Sequence, residues 1–325
     1  MIGTRPPLEA PTLGDIEAAR QRLAGLVTRT PLLRLPVEAP AEIWLKLENL
    51  QPIGSFKLRG AGNAMRAASP GTLAQGVVTA SAGNMAQGVA WCAREMGVPC
   101  TVVVPEGAPQ TKRAAIERLG GKVVPVPFTT WWQAIQDHGY EGAPGRFLHP
   151  VADPWVIAGN ATIGLEILED LPEVNAVVIP FGGGGLSSGI ASALKAAGSR
   201  ARIYAAEIET AAPLSASLMA GEPRAVERLA SFVDGIGGRS VLPEMWPLVS
   251  RLLDGSLVVG LEQAAAAIRL LVERARVVAE GAGAVPVAAA LAGAAGSGRV
   301  VCVVSGGNID AALLARILAG ETPLG

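Results

Sequence analysis

Short runs of β-branched and aliphatic residues alternate along this chain with longer stretches whose apolar positions recur every three or four residues. Strand-like runs fall at Glu42–Glu48, Val77–Thr79, Cys100–Val104, Val123–Val126, Ala176–Phe181, Ile203–Ala206 and Val300–Val304, with helix-like periodicity between them. Only Glu42–Glu48 alternates; the others are continuously apolar, as strands are when helices cover both faces of a mostly parallel sheet. Thr12-Leu13-Gly14-Asp15 predicts a capping box opening a helix that ends near Gly25. The pattern therefore predicts an α/β chain of open, mostly parallel twisted sheets covered by helices, without internal repeats.

Three glycine-bearing loops each follow a predicted strand and precede a predicted helix: Ser81-Ala82-Gly83-Asn84, Gly182-Gly183-Gly184-Gly185 and Ser305-Gly306-Gly307-Asn308. Ligands of open α/β sheets bind beyond the carboxyl ends of strands, where helix N-termini offer free N–H groups to anions. Four glycines in a row let a phosphate approach the backbone, so the N–H groups of Gly182, Gly183, Gly184, Gly185 and Leu186 can cradle a dianion. A tight strand-to-helix turn is the plainer meaning of the same loop. A dinucleotide site with Glu207 as ribose acid is a rival, although Ser187 and Ser188 stand where G-x-G-x-x-G needs its third glycine.

Composition narrows the partners. The 325 residues carry 27 Lys and Arg against 28 Asp and Glu, so nothing favours a nucleic acid or an anionic membrane. Apolar runs stop well short of the roughly 18 residues a spanning helix needs, and Met1–Pro7 lacks the apolar core of a signal peptide. Cys92, Cys100 and Cys302 form neither a metal spacing nor a disulfide framework, and the two histidines, His138 and His149, have no recognisable ligand or triad spacing. A cytoplasmic protein without a metal is expected.

Lys57 adds the chemistry. It follows a Pro/Gly turn in Asn49-Leu50-Gln51-Pro52-Ile53-Gly54-Ser55-Phe56-Lys57-Leu58-Arg59-Gly60 and opens a helical stretch. A lysine can hold a carbonyl cofactor as a Schiff base once desolvation or a neighbouring cation lowers its pKa. Phe56 can pack beside a planar ring. Together with the three loops, Ser55-Phe56-Lys57-Leu58-Arg59-Gly60 resembles the Ser-Phe-Lys-x-Arg-Gly motif of the fold type II pyridoxal-phosphate enzymes, the threonine/serine dehydratase and serine racemase family. The resemblance spans nearly the whole chain and implies a tryptophan synthase β-like architecture, with residues 1–75 and 152–325 as a large cofactor-binding domain and 76–151 as a small α/β domain. It also implies pyridoxal 5'-phosphate as cofactor, a small amino-acid substrate and a homodimer.

By the same resemblance, Lys57 is the Schiff-base lysine, and the loop Gly182–Leu186 holds the phosphate. Asn84 contacts the cofactor 3-hydroxyl, Glu280 lies near its ring, and Ser305 meets the pyridine nitrogen. A neutral hydroxyl at 305 makes the ring a weaker electron sink, which disfavours transamination and leaves β-elimination accessible. Ser81, Ala82, Gly83 and Asn84 bind the substrate carboxylate. Capping roles for Asn84, Glu280 and Ser305 are compatible alternatives.

Several residues depart from the family pattern. Ala82 replaces the racemase serine, and alanine moves no proton, so racemisation is expected to be weak. Met85 stands where histidine is usual, Val151 and Ala152 are small and apolar, and Asn160 replaces glutamine. Drift at neutral positions would account for these departures; the functional alternative is an apolar pocket around Met85 and Val151 that takes a large β-substituent such as that of phenylserine. Pro213 stands near where a metal-dependent racemase carries an acidic ligand. The chain ends at Gly325, leaving no room for a C-terminal regulatory domain, so inhibition by isoleucine is not expected. The expected activity is β-elimination of water from a β-hydroxy-α-amino acid, giving a 2-oxo acid and ammonia. A 3-hydroxyaspartate dehydratase, a racemase, a non-catalytic pyridoxal-phosphate binder and a nicotinamide-dependent oxidoreductase are the alternatives.

Overall fold

The computed structural model describes residues 8–324; Met1–Pro7, read above as lacking a signal-peptide core, lie outside the described residues. Ten strands form two sheets: β1 (Leu32–Arg34), β2 (Glu42–Leu47), β3 (Val77–Ala80), β4 (Cys100–Pro105), β5 (Lys122–Val126), β6 (Arg146–Phe147), β7 (Ala176–Pro180), β8 (Arg202–Ile208), β9 (Gly255–Val259) and β10 (Arg299–Val304). The larger sheet runs β1-β2-β10-β7-β8-β9 and the smaller β5-β4-β3-β6. Every pairing is parallel except β1 with β2.

The continuous apolar runs become the central strands, except Val123–Val126, which falls in the edge strand β5. All five residues of β7 are buried, as are all four of β3, because helices pack on both faces. One hydrophobic cluster joins one face of the larger sheet to the Leu261–Leu270 and Gly281–Leu291 helices. A second lies on the opposite face, against the Pro154–Asp170 and Gly185–Ala196 helices. Among the described residues no helix is long and apolar enough to cross a membrane.

Thr12 caps the Leu13–Leu23 helix as predicted, its side chain and that of Asp15 bonding reciprocally to the backbone. Three strands escaped the sequence pattern. β1 has three residues and β6 two, while β9 is a mostly half-exposed edge that begins at Gly255. The last helix is Ala311–Leu318, capped by Asp310 through the N–H groups of Ala312 and Leu313, so Ser305 is not its cap.

Candidate active site

The three glycine loops end β3, β7 and β10, and the structure brings all three together around Lys57. A Ser55–Gly306 bridge and the bond from Phe56 N–H to Ser305 O (3.0 Å) pin the lysine segment to the end of β10. Gly54 makes the turn into this segment. Its φ is +72°, and a Cβ there would fall 2.6 Å from Asn308 Oδ1, so glycine is required on two counts.

Lys57 is the first residue of the Lys57–Arg66 helix. Its half-buried Nζ donates to the Pro150 carbonyl at 3.0 Å and lies 5.1 Å from the Phe56 ring centroid. Among the described residues it makes no ion pair. Burial lowers its pKa to about 8, against the opposing influence of Glu280.

Asn84 links two of the loops. Gly83, not Asn84, occupies the N-cap of the Asn84–Met96 helix. The Asn84 amide instead donates to both Glu280 oxygens (2.9 and 3.2 Å) and accepts from Asn308 Nδ2 (2.8 Å). Glu280 occupies the N-cap of the Gly281–Leu291 helix without capping it by its side chain. Desolvation raises its pKa to about 7, against the hydrogen bond from Asn84. Ser81 Oγ accepts the Gly83 N–H at 3.2 Å. The first internal bond of this helix runs from Gln87 to Gly83, leaving the N–H groups of Asn84, Met85 and Ala86 without an intrahelical acceptor.

The Gly182–Leu186 loop has the same construction. Gly184 has φ +96° and the first helical bond runs from Ser188 to Gly184, so the N–H groups of Gly185, Leu186 and Ser187 have no intrahelical acceptor. Gly183 and Gly185 lie against the Pro150–Ala152 segment: a Cβ on either would come within 2.6 Å of the Val151 side chain or 3.0 Å of its carbonyl. Asn160 Nδ2 donates to Gly185 O at 3.3 Å, while the buried Asn160 Oδ1 and Ser188 Oγ have no hydrogen-bond partner.

Two expectations change. Met85 is only 2 % exposed and packs in the core with Leu58, Ala86, Val89 and Ala90; helical periodicity carries its side chain inward, so it does not line an open pocket. Half-buried Val151 packs on the glycine loop at Gly183 and Gly185, and Ala152 is buried in the core. Glu207 is also unavailable to a ribose. It accepts the N–H groups of Leu214 and Ser215 and the Ser256 hydroxyl at 2.7–2.8 Å.

A buried charge network beside the site carries no sequence signature beyond Arg59 itself. Arg59 bonds both oxygens of Glu48 (2.8 Å each) and both of Glu166 (2.6 and 2.9 Å). Lys46 Nζ meets Glu166 at 2.5 Å and Thr30 O at 2.6 Å. Lys46 on a strand that must bury one face was the available signal, but its partner lies 120 residues away.

A half-buried lysine of lowered pKa, faced by helix N-termini with free N–H groups, defines an α/β enzyme for an anionic, carbonyl-bearing cofactor. Residues 23–306 match the family described as pyridoxal-phosphate dependent enzyme. An L-threonine ammonia-lyase from Thermotoga maritima is 42% identical over 318 residues, covering 94% of this chain and 78% of the relative. A catabolic L-threonine dehydratase from Staphylococcus aureus is 36% identical over 310 residues, 92% of this chain and 89% of the relative. Maize serine racemase superposes with a TM-score of 0.86 at 31% identity, covering 96% of this chain and 98% of its own. The chain belongs to the pyridoxal-phosphate dependent enzymes, in the fold type II family of threonine/serine dehydratases and serine racemases; it is a lyase with pyridoxal 5'-phosphate as cofactor.

The residues present fit that cofactor. Among the described residues the ammonium is in no ion pair, glycines at 183 and 185 occupy positions where a side chain would collide with Val151, and buried polar atoms of Asn160 and Ser188 flank the loop.

Proposed function

We propose that this lyase removes water from L-threonine and L-serine, releasing a 2-oxo acid and ammonia. In this scheme Lys57 would hold the cofactor covalently, the N–H groups of Gly182–Leu186 would hold its phosphate, Ser305 would meet its pyridine nitrogen and Asn84 its 3-hydroxyl. The bound cofactor supplies an electron sink for the carbanion at Cα. The Ser81–Asn84 loop binds and orients the substrate carboxylate through backbone N–H groups. Lys57, once its amine is freed by the substrate amino group, would take the Cα proton and return it to the departing β-hydroxyl, which leaves as water; the released enamine would tautomerise and be hydrolysed, so that one amino acid gives one 2-oxo acid and one ammonia.

The observation that carries this reading is the state of Lys57: half-buried, bonded only to the Pro150 carbonyl, with a pKa near 8. An amine tuned close to neutrality both attacks a carbonyl and moves a proton. Threonine acted on by the relatives supports the substrate class. Burial of Met85 and Ala152, with Val151 spent on the glycine loop, favours threonine and serine over phenylserine. Racemisation lacks a proton carrier at Ala82.

The test is 2-oxo acid and ammonia release from the pyridoxal-phosphate-loaded enzyme with L-threonine, L-serine and L-threo-phenylserine. Equimolar products, with kcat/KM for threonine above that for phenylserine, are expected. Interconversion of serine enantiomers without 2-oxo acid would replace the dehydratase by a racemase.

A further inference from the structure

His149 is buried beside the site and has no part in the scheme above. Its Nδ1 accepts the N–H groups of Val151 (3.1 Å) and Ala152 (2.6 Å). A ring nitrogen that accepts two N–H bonds carries no proton, so the neutral ring is protonated at Nε2. His138 stacks on this ring with centroids 4.1 Å apart, and its Nε2 lies 3.5 Å from Glu244. One ligand atom from each of His138, His149 and Glu244 falls within 4.8 Å of the others, which is a metal-like spacing. A metal-bound histidine, however, donates its second ring N–H to an acceptor, and His149 Nδ1 does the reverse. The tautomer belongs to a loop tie, not to a ligand.

What the tie holds is the segment that touches both halves of the site. Pro150 offers the carbonyl that accepts from Lys57 Nζ, and Val151 packs on Gly183 and Gly185. Having no N–H, Pro150 cannot anchor its own peptide. The bonds on either side are supplied by two consecutive side-chain caps, His149 to residues 151 and 152 and Asp153 to residues 155 and 156. We propose that His149 is a positioning residue for the reaction: Nδ1 fixes the Pro150–Ala152 turn, which sets the Pro150 carbonyl on Lys57 and Val151 on the phosphate-binding loop. The proposal rests on the reading of Lys57 and Gly182–Leu186 as the cofactor site.

Asparagine and glutamine separate this role from mere bulk. Asparagine Oδ1 stands the same number of bonds from the backbone as histidine Nδ1 and makes the same turn, whereas glutamine carries its oxygen one bond further out. Pyridoxal-phosphate dissociation constants would be measured for the wild type, His149→Asn and His149→Gln, with Tm recorded for each. His149→Asn should stay within about three-fold of the wild type and His149→Gln should weaken by about ten-fold or more, the effect of two lost hydrogen bonds. Equal weakening in both, no weakening in either, or the reverse order overturns the positioning role. A wild type that binds no pyridoxal phosphate overturns the cofactor site itself, and the role with it. If either variant does not fold, 15N NMR of the wild-type holoenzyme decides. The chain has two histidines, so a His138→Gln spectrum assigns the signals; a bare Nδ1 and protonated Nε2 on His149 are expected, and a protonated Nδ1 overturns the proposal.

Discussion

Lys46 and Lys57 are both enclosed by protein, yet they live in opposite electrostatic worlds. Lys46 is fully buried against Glu166, and the neighbouring Arg59 is clasped by Glu48 and Glu166. Burial alone would lower the Arg59 pKa, but the two carboxylates raise it; the Glu48 carboxyl is held below its usual value by Arg59, Thr30 and Lys46 in spite of burial. Lys57, two residues before Arg59, has a carbonyl for a partner and a pKa brought down to about 8. The difference separates two uses of a buried charge. A paired network fixes the helix that begins at Lys57, whereas the amine at its start, which forms no ion pair among the described residues, has its pKa lowered by burial against the weaker pull of Glu280.

Removing the bare charge should have the largest effect on activity and little on stability. Lys57→Ala is expected to lower kcat by about 1,000-fold or more, since the proposed scheme loses its nucleophile and proton carrier together. The apoprotein should unfold at an unchanged or higher Tm, because a poorly solvated ammonium has gone. A large fall in Tm with residual turnover would erase the contrast with Arg59.

The mirror experiment removes a paired charge. Arg59→Met leaves Glu48 and Glu166 sharing one lysine and should cost about 3–5 kcal/mol, the range for breaking a buried pair. Urea unfolding of the apoprotein measures it. A loss below about 1 kcal/mol would class the network with exposed pairs.

Much of this site was legible because its parts are local. Ser55–Gly60, Ser81–Asn84, Gly182–Gly185 and Ser305–Asn308 are contiguous stretches in which glycines and a lysine reveal what the backbone must do, and the central strands are read from unbroken apolar runs. Partnerships across the chain were not legible. Glu280 lies 196 residues from Asn84 and Glu166 lies 107 from Arg59, and nothing in either neighbourhood names the other. His149 was set aside for lacking a ligand spacing, although the partners that matter are backbone N–H donors that any sequence supplies.

Titration sharpens the comparison. Because the folded-state pKa of Lys57 lies near 8 and its ordinary value is 10.5, the unfolded apoprotein binds the extra proton between these values. Stability contributed by Lys57 is thus present above about pH 10.5 and lost as pH falls through 8. Relative to Lys57→Met, the wild-type apoprotein should gain at most about 3 kcal/mol over that window. Glu280 has the opposite sign. Its pKa is raised from 4.5 to about 7, so its contribution is complete below pH 4.5 and lost as pH rises through 7, and Glu280→Gln should flatten that interval. Parallel pH curves for the wild type and Lys57→Met would mean that Lys57 is solvated like a surface lysine.

The smallest effect is expected where the sequence placed in the pocket a residue that the fold places in the core. Met85 lies in the same buried cluster as Leu58 of the Lys57 helix and Ala86, Val89 and Ala90 of its own, so its side chain is expected to contribute packing rather than recognition. Met85→Leu nearly conserves volume and should cost less than about 1.5 kcal/mol. The ratio of kcat/KM for threonine to that for phenylserine should stay within about two-fold, because a side chain that never meets the β-substituent cannot discriminate between transition states. If the ratio moves ten-fold while Tm holds, Met85 faces the substrate in the working enzyme, and the boundary between the packed side of the Lys57 helix and its reactive start lies one side chain closer to the core.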